Sequence, residues 1–186
     1  MTIREFIIAN IDTDFDEELP FSTFDRSVKK SDIITDYGQM ETKAYFIKSG
    51  IVQVELASQK EVKILDFFFK NSFCFSYSSF INKTVSDVRI KAITDCELEF
   101  IEIADLQAAY QHSLIINKLG RIVTERLYAK RVQREKMLLT KGSKENYLFL
   151  IDKYPEVVQH IPLKDIAKYL GITPESLSRI RKSIIS

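Results

Sequence analysis

Ile161-Pro-Leu-Lys-Asp-Ile-Ala-Lys-Tyr-Leu-Gly-Ile-Thr-Pro-Glu-Ser-Leu-Ser-Arg-Ile-Arg-Lys-Ser-Ile184 reads as two short helices joined by a tight turn. Ile166 and Leu170 are four apart and share one helical face; Leu177 and Ile180 are three apart and share another. Gly171 sits where a helix C-terminus needs a positive φ. Thr173 can cap the next helix, Pro174 suits its first position, and Glu175 suits the positive end of its dipole. Ala167 is small enough to let the second helix cross closely over the first. An ordinary helical hairpin has the same apolar spacing, so the outward residues decide the reading. They are Ser176, Ser178, Arg179, Arg181 and Lys182, with Glu175 one turn before Arg179. A Glu accepts from cytosine N4 and an Arg donates to guanine O6 and N7. The spacing and the surface together predict a helix-turn-helix that binds DNA.

The charge distribution agrees. The net charge is +1, but it is unevenly spread. Residues 1–112 carry 12 Lys/Arg against 19 Asp/Glu, and residues 113–186 carry 15 against 7. A basic part behind an acidic part suits a sensor joined to a phosphate-binding module. Solvated helix faces rich in Lys and Arg would account for the positive charge but not for the split. The chain is long enough for one or two domains with real cores. It has no run of eighteen apolar residues, so no membrane span is expected. Its N-terminus turns acidic too soon for a secretory signal, and a cytoplasmic location is expected.

Upstream, residues 3–25 read as a helix followed by a loop, with Phe6, Ile7 and Ile11 on one face and Pro20 as a break. The carboxylates Asp14, Asp16, Glu17 and Glu18 lack the glycine and terminal glutamate of a calcium loop, so a solvated face is expected. From Val28 to Ile101 the period changes to two. Lys43–Lys48 and Ile51–Leu56 flank the turn signal Ser49-Gly50, and Glu61–Phe67 follows the polar turn Ala57-Ser-Gln-Lys60. Asp87–Ile93 and Cys96–Ile101 alternate again. Short strands at regular spacing predict a sandwich or barrel. Phe67, Phe68, Phe69, Phe73, Phe75, Tyr77 and Phe80 are expected in its core, and Cys74 and Cys96 as buried free thiols.

Residues 104–112 return to a helical pattern. A helix of about Leu114 to Leu139 follows, with no Pro. Leu119, Ile122, Val123, Leu127, Tyr128 and Val132 form a stripe near coiled-coil spacing, and Lys130, Arg131, Arg134 and Lys136 are expected in solvent. So long a helix is expected to be the seam of a homodimer. Gly142 ends it, Ser143 is expected to cap the next helix, Tyr154-Pro155 closes that one, and Val157–Pro162 leads to the opening stretch.

This order, with Ile166–Ile180 after Tyr147…Tyr154-Pro155-Glu156, resembles the Crp/Fnr family of bacterial transcription regulators, most closely members of the Bacteroidetes type. Tyr45-Phe-Ile-Lys-Ser-Gly-Ile-Val-Gln-Val is similar to the family's second hairpin. The resemblance implies an α+β fold: a double-stranded β-roll sensor of the cyclic-nucleotide-binding type over residues 1–112, a dimerisation helix over 113–140, and a helix-turn-helix domain over 141–186. It implies a non-enzymatic, sequence-specific regulator that binds double-stranded DNA as a homodimer, with RNA polymerase a candidate contact. By position Glu175 and Arg179 match the base-reading residues, with Ser178 beside them, and Thr173 and Ser176 match hydroxyls that hold phosphate. With Lys182 these are the candidate DNA-binding residues. Pro174 stands where other members use Arg, and Ser186 falls just past the helix, so the operator cannot be copied from the family.

The sensor departs further. Members that take cyclic nucleotides use a Gly-Glu pair on the ribose and an Arg-Ser or Arg-Thr pair on the phosphate. Here Asn71–Arg89 has no Gly-Glu, and Arg89 precedes Ile90. A buried phosphate would lack compensation, so cyclic AMP is not expected. Lys83, Thr84 and Ser86 leave a different anion site or plain loop polarity open. Two cysteines are too few for an all-cysteine iron–sulfur cluster, and both histidines, His112 and His160, fall outside the β region, so neither cofactor nor metal is expected. An enzyme on a cupin-like roll would need metal-ligating His there. Two alternatives stand: an interaction module with a vestigial helix-turn-helix, and a cyclic-nucleotide-responsive regulator with a divergent pocket.

Overall fold

A computed structural model describes residues 1–58 and 61–185. Helix α1 (Ile3–Asn10) starts at a Thr2 cap and is followed by eight strands in two antiparallel sheets. The strands are β1 (Phe24–Val28), β2 (Ile33–Thr35), β3 (Lys43–Ser49), β4 (Val52–Leu56), β5 (Lys63–Phe68), β6 (Ser72–Cys74), β7 (Val88–Ala92) and β8 (Cys96–Glu102). A short helix, α2 (Tyr77–Asn82), lies between β6 and β7. One sheet has the order β1-β8-β3-β6 and the other β2-β7-β4-β5. This is the expected β-roll, although its first strand begins at Phe24, four residues before the period-two reading.

Ser49-Gly50 does not close a hairpin. Strand β3 pairs with β6 and β8, whereas β4 pairs with β5 and β7, so the turn carries the chain from one sheet to the other. Gly50 has φ 93°, and a Cβ there would lie 2.5 Å from the Asp95 carbonyl oxygen and from Cys96 Sγ. Only glycine suits such a corner. The turn at 57–60 does join a hairpin, β4 to β5; its Gln59 and Lys60 lie outside the described residues.

Strand β3 is buried on both faces, which is why Tyr45-Phe-Ile reads as an unbroken apolar run. Tyr45 and Ile47 fill the roll with Val52, Val54, Ile90 and Leu98. Ala44 and Phe46 point outward under Ile3, Phe6 and Ile7 of α1. Of the expected aromatic core, Phe67, Phe68, Phe69 and Phe73 are buried, but Tyr77 is exposed. Cys74 and Cys96 are buried free thiols.

After α3 (Ile103–Tyr110) comes the long helix α4 (Leu114–Thr140), capped by the Ser113 hydroxyl, which accepts from the Ile116 N–H at 3.3 Å. Its apolar stripe is divided. Leu119, Val123 and Leu127 pack on the chain's own roll, whereas Tyr128 is 71% exposed. Lys130 and Arg134 are half-buried rather than in solvent. They face the roll because they continue, at helical spacing, the row begun by Leu119 and Val123. Lys130 Nζ lies 2.8 Å from Asp66 Oδ1 and donates to the Phe67 carbonyl at 2.5 Å.

Helices α5 (Ser143–Lys153), α6 (Glu156–His160), α7 (Leu163–Leu170) and α8 (Pro174–Ile185) complete the fold. Ser143 is the first helical residue of α5, not its cap. The Gly142 N–H is taken by Glu145 at 3.2 Å, as in a capping box with glycine in the cap position. The expected connector at Val157–Pro162 contains most of α6, begun at Pro155, a residue suited to a helix start. The helical part does not stand apart from the roll. Ile64, Phe67 and Phe69 share one apolar core with Tyr147, Val157, Ile166 and Tyr169. Tyr154 stacks on Phe69 with ring centroids 4.5 Å apart. No helix among the described residues is long and apolar enough to cross a membrane.

Candidate nucleic-acid interface

The turn between α7 and α8 is built by local chemistry. Gly171 takes φ 69°, and the Ile172 N–H donates back to the Ala167 carbonyl at 3.0 Å, closing α7. Thr173 caps α8: its Oγ1 accepts from the Ser176 N–H at 3.2 Å and lies 3.1 Å from Ser176 Oγ. Pro174 is the first helical residue, where its missing N–H costs nothing. Ala167 and Leu177 are fully buried against each other's helices, with Ile172 and Ile180 packed at the edge. The apolar face is thus spent on anchoring α8.

The opposite face of α8 carries the candidate residues. Glu175, Arg179 and Lys182 are exposed; Ser176, Ser178 and Arg181 are half-buried. Arg179 Nη2 donates to Ser176 Oγ at 3.4 Å, which links Thr173, Ser176 and Arg179 in one chain of polar contacts. The Glu175 carboxyl is held below its ordinary range, first by its own backbone N–H at the helix start, then by the Thr173 hydroxyl, and further by the charge of Arg179. An ionised acceptor and a charged donor therefore stand one turn apart at the N-terminal end of α8.

Behind this face, α7 rests on the roll. Tyr169 packs on Phe67 with centroids 5.2 Å apart, and Arg134 of α4 lies 4.6 Å over the Tyr169 ring. Arg134 Nη2 also donates to the Tyr169 carbonyl at 2.9 Å. That carbonyl is at the C-terminus of α7, where a cation meets the negative end of the helix dipole. The only trace of this clamp in the sequence is the i, i+4 spacing of Lys130 and Arg134, which a solvated helix shares.

Inside the roll the polar groups converge on Glu41. This carboxylate is 6% exposed and accepts from the Ser76 N–H at 3.0 Å and the Thr35 hydroxyl at 3.0 Å. Among the described residues its hydrogen bonds come from neutral donors alone, and burial pushes its pKa up. Burial first, and then the charge of Glu41, push the Tyr45 hydroxyl up to about 12. Ser86, one of the loop residues weighed as an anion site, is buried and committed: its Oγ lies 2.7 Å from Ser76 Oγ and donates to the Val88 carbonyl at 2.7 Å. Lys83 ends α2 with φ 53° and is exposed. Arg89 lies against Asp36 at 2.7 Å and over the Tyr37 ring. Nothing in the sequence around Glu41 marks it as buried. Among the described residues no group of three or more His, Cys, Asp or Glu is placed to hold a metal.

Residues 25–113 match the family model described as the cyclic nucleotide-binding domain. Similar solved structures extend the likeness over the helical part. FixK2 from Bradyrhizobium japonicum superposes with a TM-score of 0.72 at 19% identity, covering 88% of this chain and 84% of that one. The c-di-GMP-responsive global regulator CLP from Xanthomonas campestris gives 0.69 at 19% identity, covering 87% and 86%. A transcriptional regulator of the Crp/Fnr family from Eubacterium rectale gives 0.69 at 17% identity, covering 98% and 83%. No curated protein sequence matches significantly. Residues 25–113 are thus similar to the cyclic nucleotide-binding domain, and the chain has the fold of these solved regulators over most of its length.

Proposed function

We propose that the chain is a transcription regulator of the Crp/Fnr type that binds double-stranded DNA sequence-specifically as a homodimer, with α8 in the major groove. The observation that carries this reading is the division of α8. One face is consumed in packing through Leu177, while Glu175 and Arg179 stand exposed at the helix N-terminal end beside the Thr173–Ser176 pair. In this geometry the base-reading residues face a groove and the hydroxyls face phosphates. The exposed apolar residues of α4, Leu114, Tyr128 and Leu139, support a seam with a second copy. Two copies would set two α8 helices against two half-sites.

The roll serves as a regulatory platform that does not respond to cyclic AMP. Its buried donors already serve Glu41, and a phosphate brought beside that carboxylate would meet an anion whose own hydrogen bonds come from neutral donors. Regulation would then act by changing how the α7–α8 unit sits on the roll and on α4.

The test is selection of bound duplexes from a random pool, followed by Arg179→Ala on the enriched sequence. Affinity for that sequence should fall by about 1–3 kcal/mol, with residual non-specific binding kept. Equal loss on every duplex would remove Arg179 from base contact. Failure to enrich any sequence would favour an interaction module whose helix-turn-helix no longer reads DNA.

A further inference from the structure

A channel of about 860 Å³ runs between the C-terminal half of α4 and α5. Among the described residues five cations line it, Arg126, Lys130, Lys136, Lys141 and Lys153, and no carboxylate does. Of these only Lys130 is ion-paired among the described residues, with Asp66 at 2.8 Å. Arg126 donates instead to the Asn10 side-chain oxygen at 2.6 Å, and Lys153 to that of Gln133 at 2.7 Å. Lys141 and Lys153 flank the Phe149 ring, 5.3 Å and 5.7 Å from its centroid. The floor between them is apolar, with Met137 buried and Phe149 and Tyr154 half-buried.

The channel is not the seam. Tyr128 and Val132 mark the edge it shares with that face, but Ala129, Gln133, Lys136 and Thr140 lie about 100° round the helix from Tyr128. A helix packed on Leu114, Tyr128 and Leu139 therefore does not fill it. Clustered like charges repel and cost stability unless an anion answers them, and cations along one channel focus a positive field within it. From Arg126 to Thr140 the α4 wall is about 21 Å long at about 1.5 Å per residue. That is room for about six residues of extended chain. A duplex is a convex rod and meets such a channel only at its rim, whereas an extended chain lies along it. We propose that this channel binds an extended acidic segment of a partner protein, its carboxylates at Lys136, Lys141 and Lys153 and an apolar side chain against Phe149. Helix α5 turns Phe149 and Lys153 to the channel, and Tyr147 and Leu150 to the core that anchors Leu177 of α8. The two sites use different faces of α5, so α8 stays open to DNA when the channel is filled. The assignment stands without the regulator reading.

The experiment titrates the full chain into a fluorescent oligoglutamate peptide carrying one central phenylalanine and reads anisotropy at low salt, without DNA. Saturable binding to one site per chain is expected, weakening as salt rises, with the matching oligoglutamine peptide at least about tenfold weaker. Lys136→Gln combined with Lys141→Gln should weaken the acidic peptide by about tenfold. Lys30→Gln combined with Lys83→Gln removes the same charge from exposed positions on the roll and should leave binding within about twofold. Arg179→Ala, on α8, should bind the peptide as the unaltered chain does. No saturable binding, or an equal loss in both lysine pairs, overturns the proposal. Displacement of the peptide by random duplex DNA, with the Lys136 and Lys141 changes weakening the duplex just as much, gives the channel to phosphate and overturns it as well. A chain that takes the peptide but ignores duplex DNA keeps the channel assignment and overturns the regulator reading instead.

Discussion

At the scale of single residues, Glu41 is a carboxylate buried where its type seldom is. A carboxylate in the middle of a roll, held by a backbone N–H and a hydroxyl, is stable only because those donors face it. Its folded pKa lies above the unfolded value, so the folded chain binds the proton more tightly. The stability it confers is therefore full at low pH and is lost as pH rises from the ordinary glutamate value through the raised one. Glu41→Gln mimics the protonated form. Denaturant unfolding at pH 8 should show the variant more stable by about 1 kcal/mol, with the gap closing toward pH 4. An equal gap at both pH values would mean that Glu41 does not titrate on folding. A residue like this cannot be found from one sequence, because a lone Glu between Met40 and Thr42, in the connection before β3, looks the same whether its side chain is wet or dry. The caps and the glycine turn of the helix-turn-helix, by contrast, are local devices, and Thr173, Pro174 and Gly171 perform the roles their types predict.

At the scale of elements, periodicity carries far but pairing does not. Strands β3, β4, β5, β7 and β8 and the long helix fall where the patterns of period two and near 3.6 place them, whereas the short β2 and β6, and β1 ahead of the alternating region, carry no such pattern. Ser49-Gly50 shows the limit: a glycine turn between two β-rich runs is compatible with a hairpin and with a corner, and only the partners β6, β8, β5 and β7 decide. The basic row on α4 is a second case. Lys130 and Arg134 have the composition of a solvated face, yet they bridge the roll and α7 through backbone carbonyls and aromatic rings. Arg134→Ala removes the hydrogen bond to the Tyr169 carbonyl and the stack on its ring. It should lower the unfolding free energy by about 2 kcal/mol and speed proteolytic cleavage near Lys141-Gly142, where α4 gives way to α5. Unchanged stability with unchanged cleavage would show that the clamp holds nothing.

At the scale of the whole molecule, the acidic and basic parts read from charge alone are packed on each other. A single apolar core runs from Ile64 and Phe67 of β5 to Ile166 and Tyr169 of α7, so the helix-turn-helix leans on the β5 edge of the roll's second sheet. That docking depends on residues about a hundred positions apart, and no local pattern records it. It also gives the proposed regulation a physical form: moving α7 and α8 exposes the Phe67–Tyr169 and Phe69–Tyr154 contacts, and whatever stabilises another seat must offset that cost. The basic charge of the helical part remains the feature most directly tied to function, since phosphate contacts release counterions on binding. The central claim is tested by measuring affinity for duplex DNA across a salt series. The account predicts binding at low salt that weakens steeply and linearly on a logarithmic scale as salt rises. Absence of binding at low salt, or an affinity indifferent to salt, would contradict it.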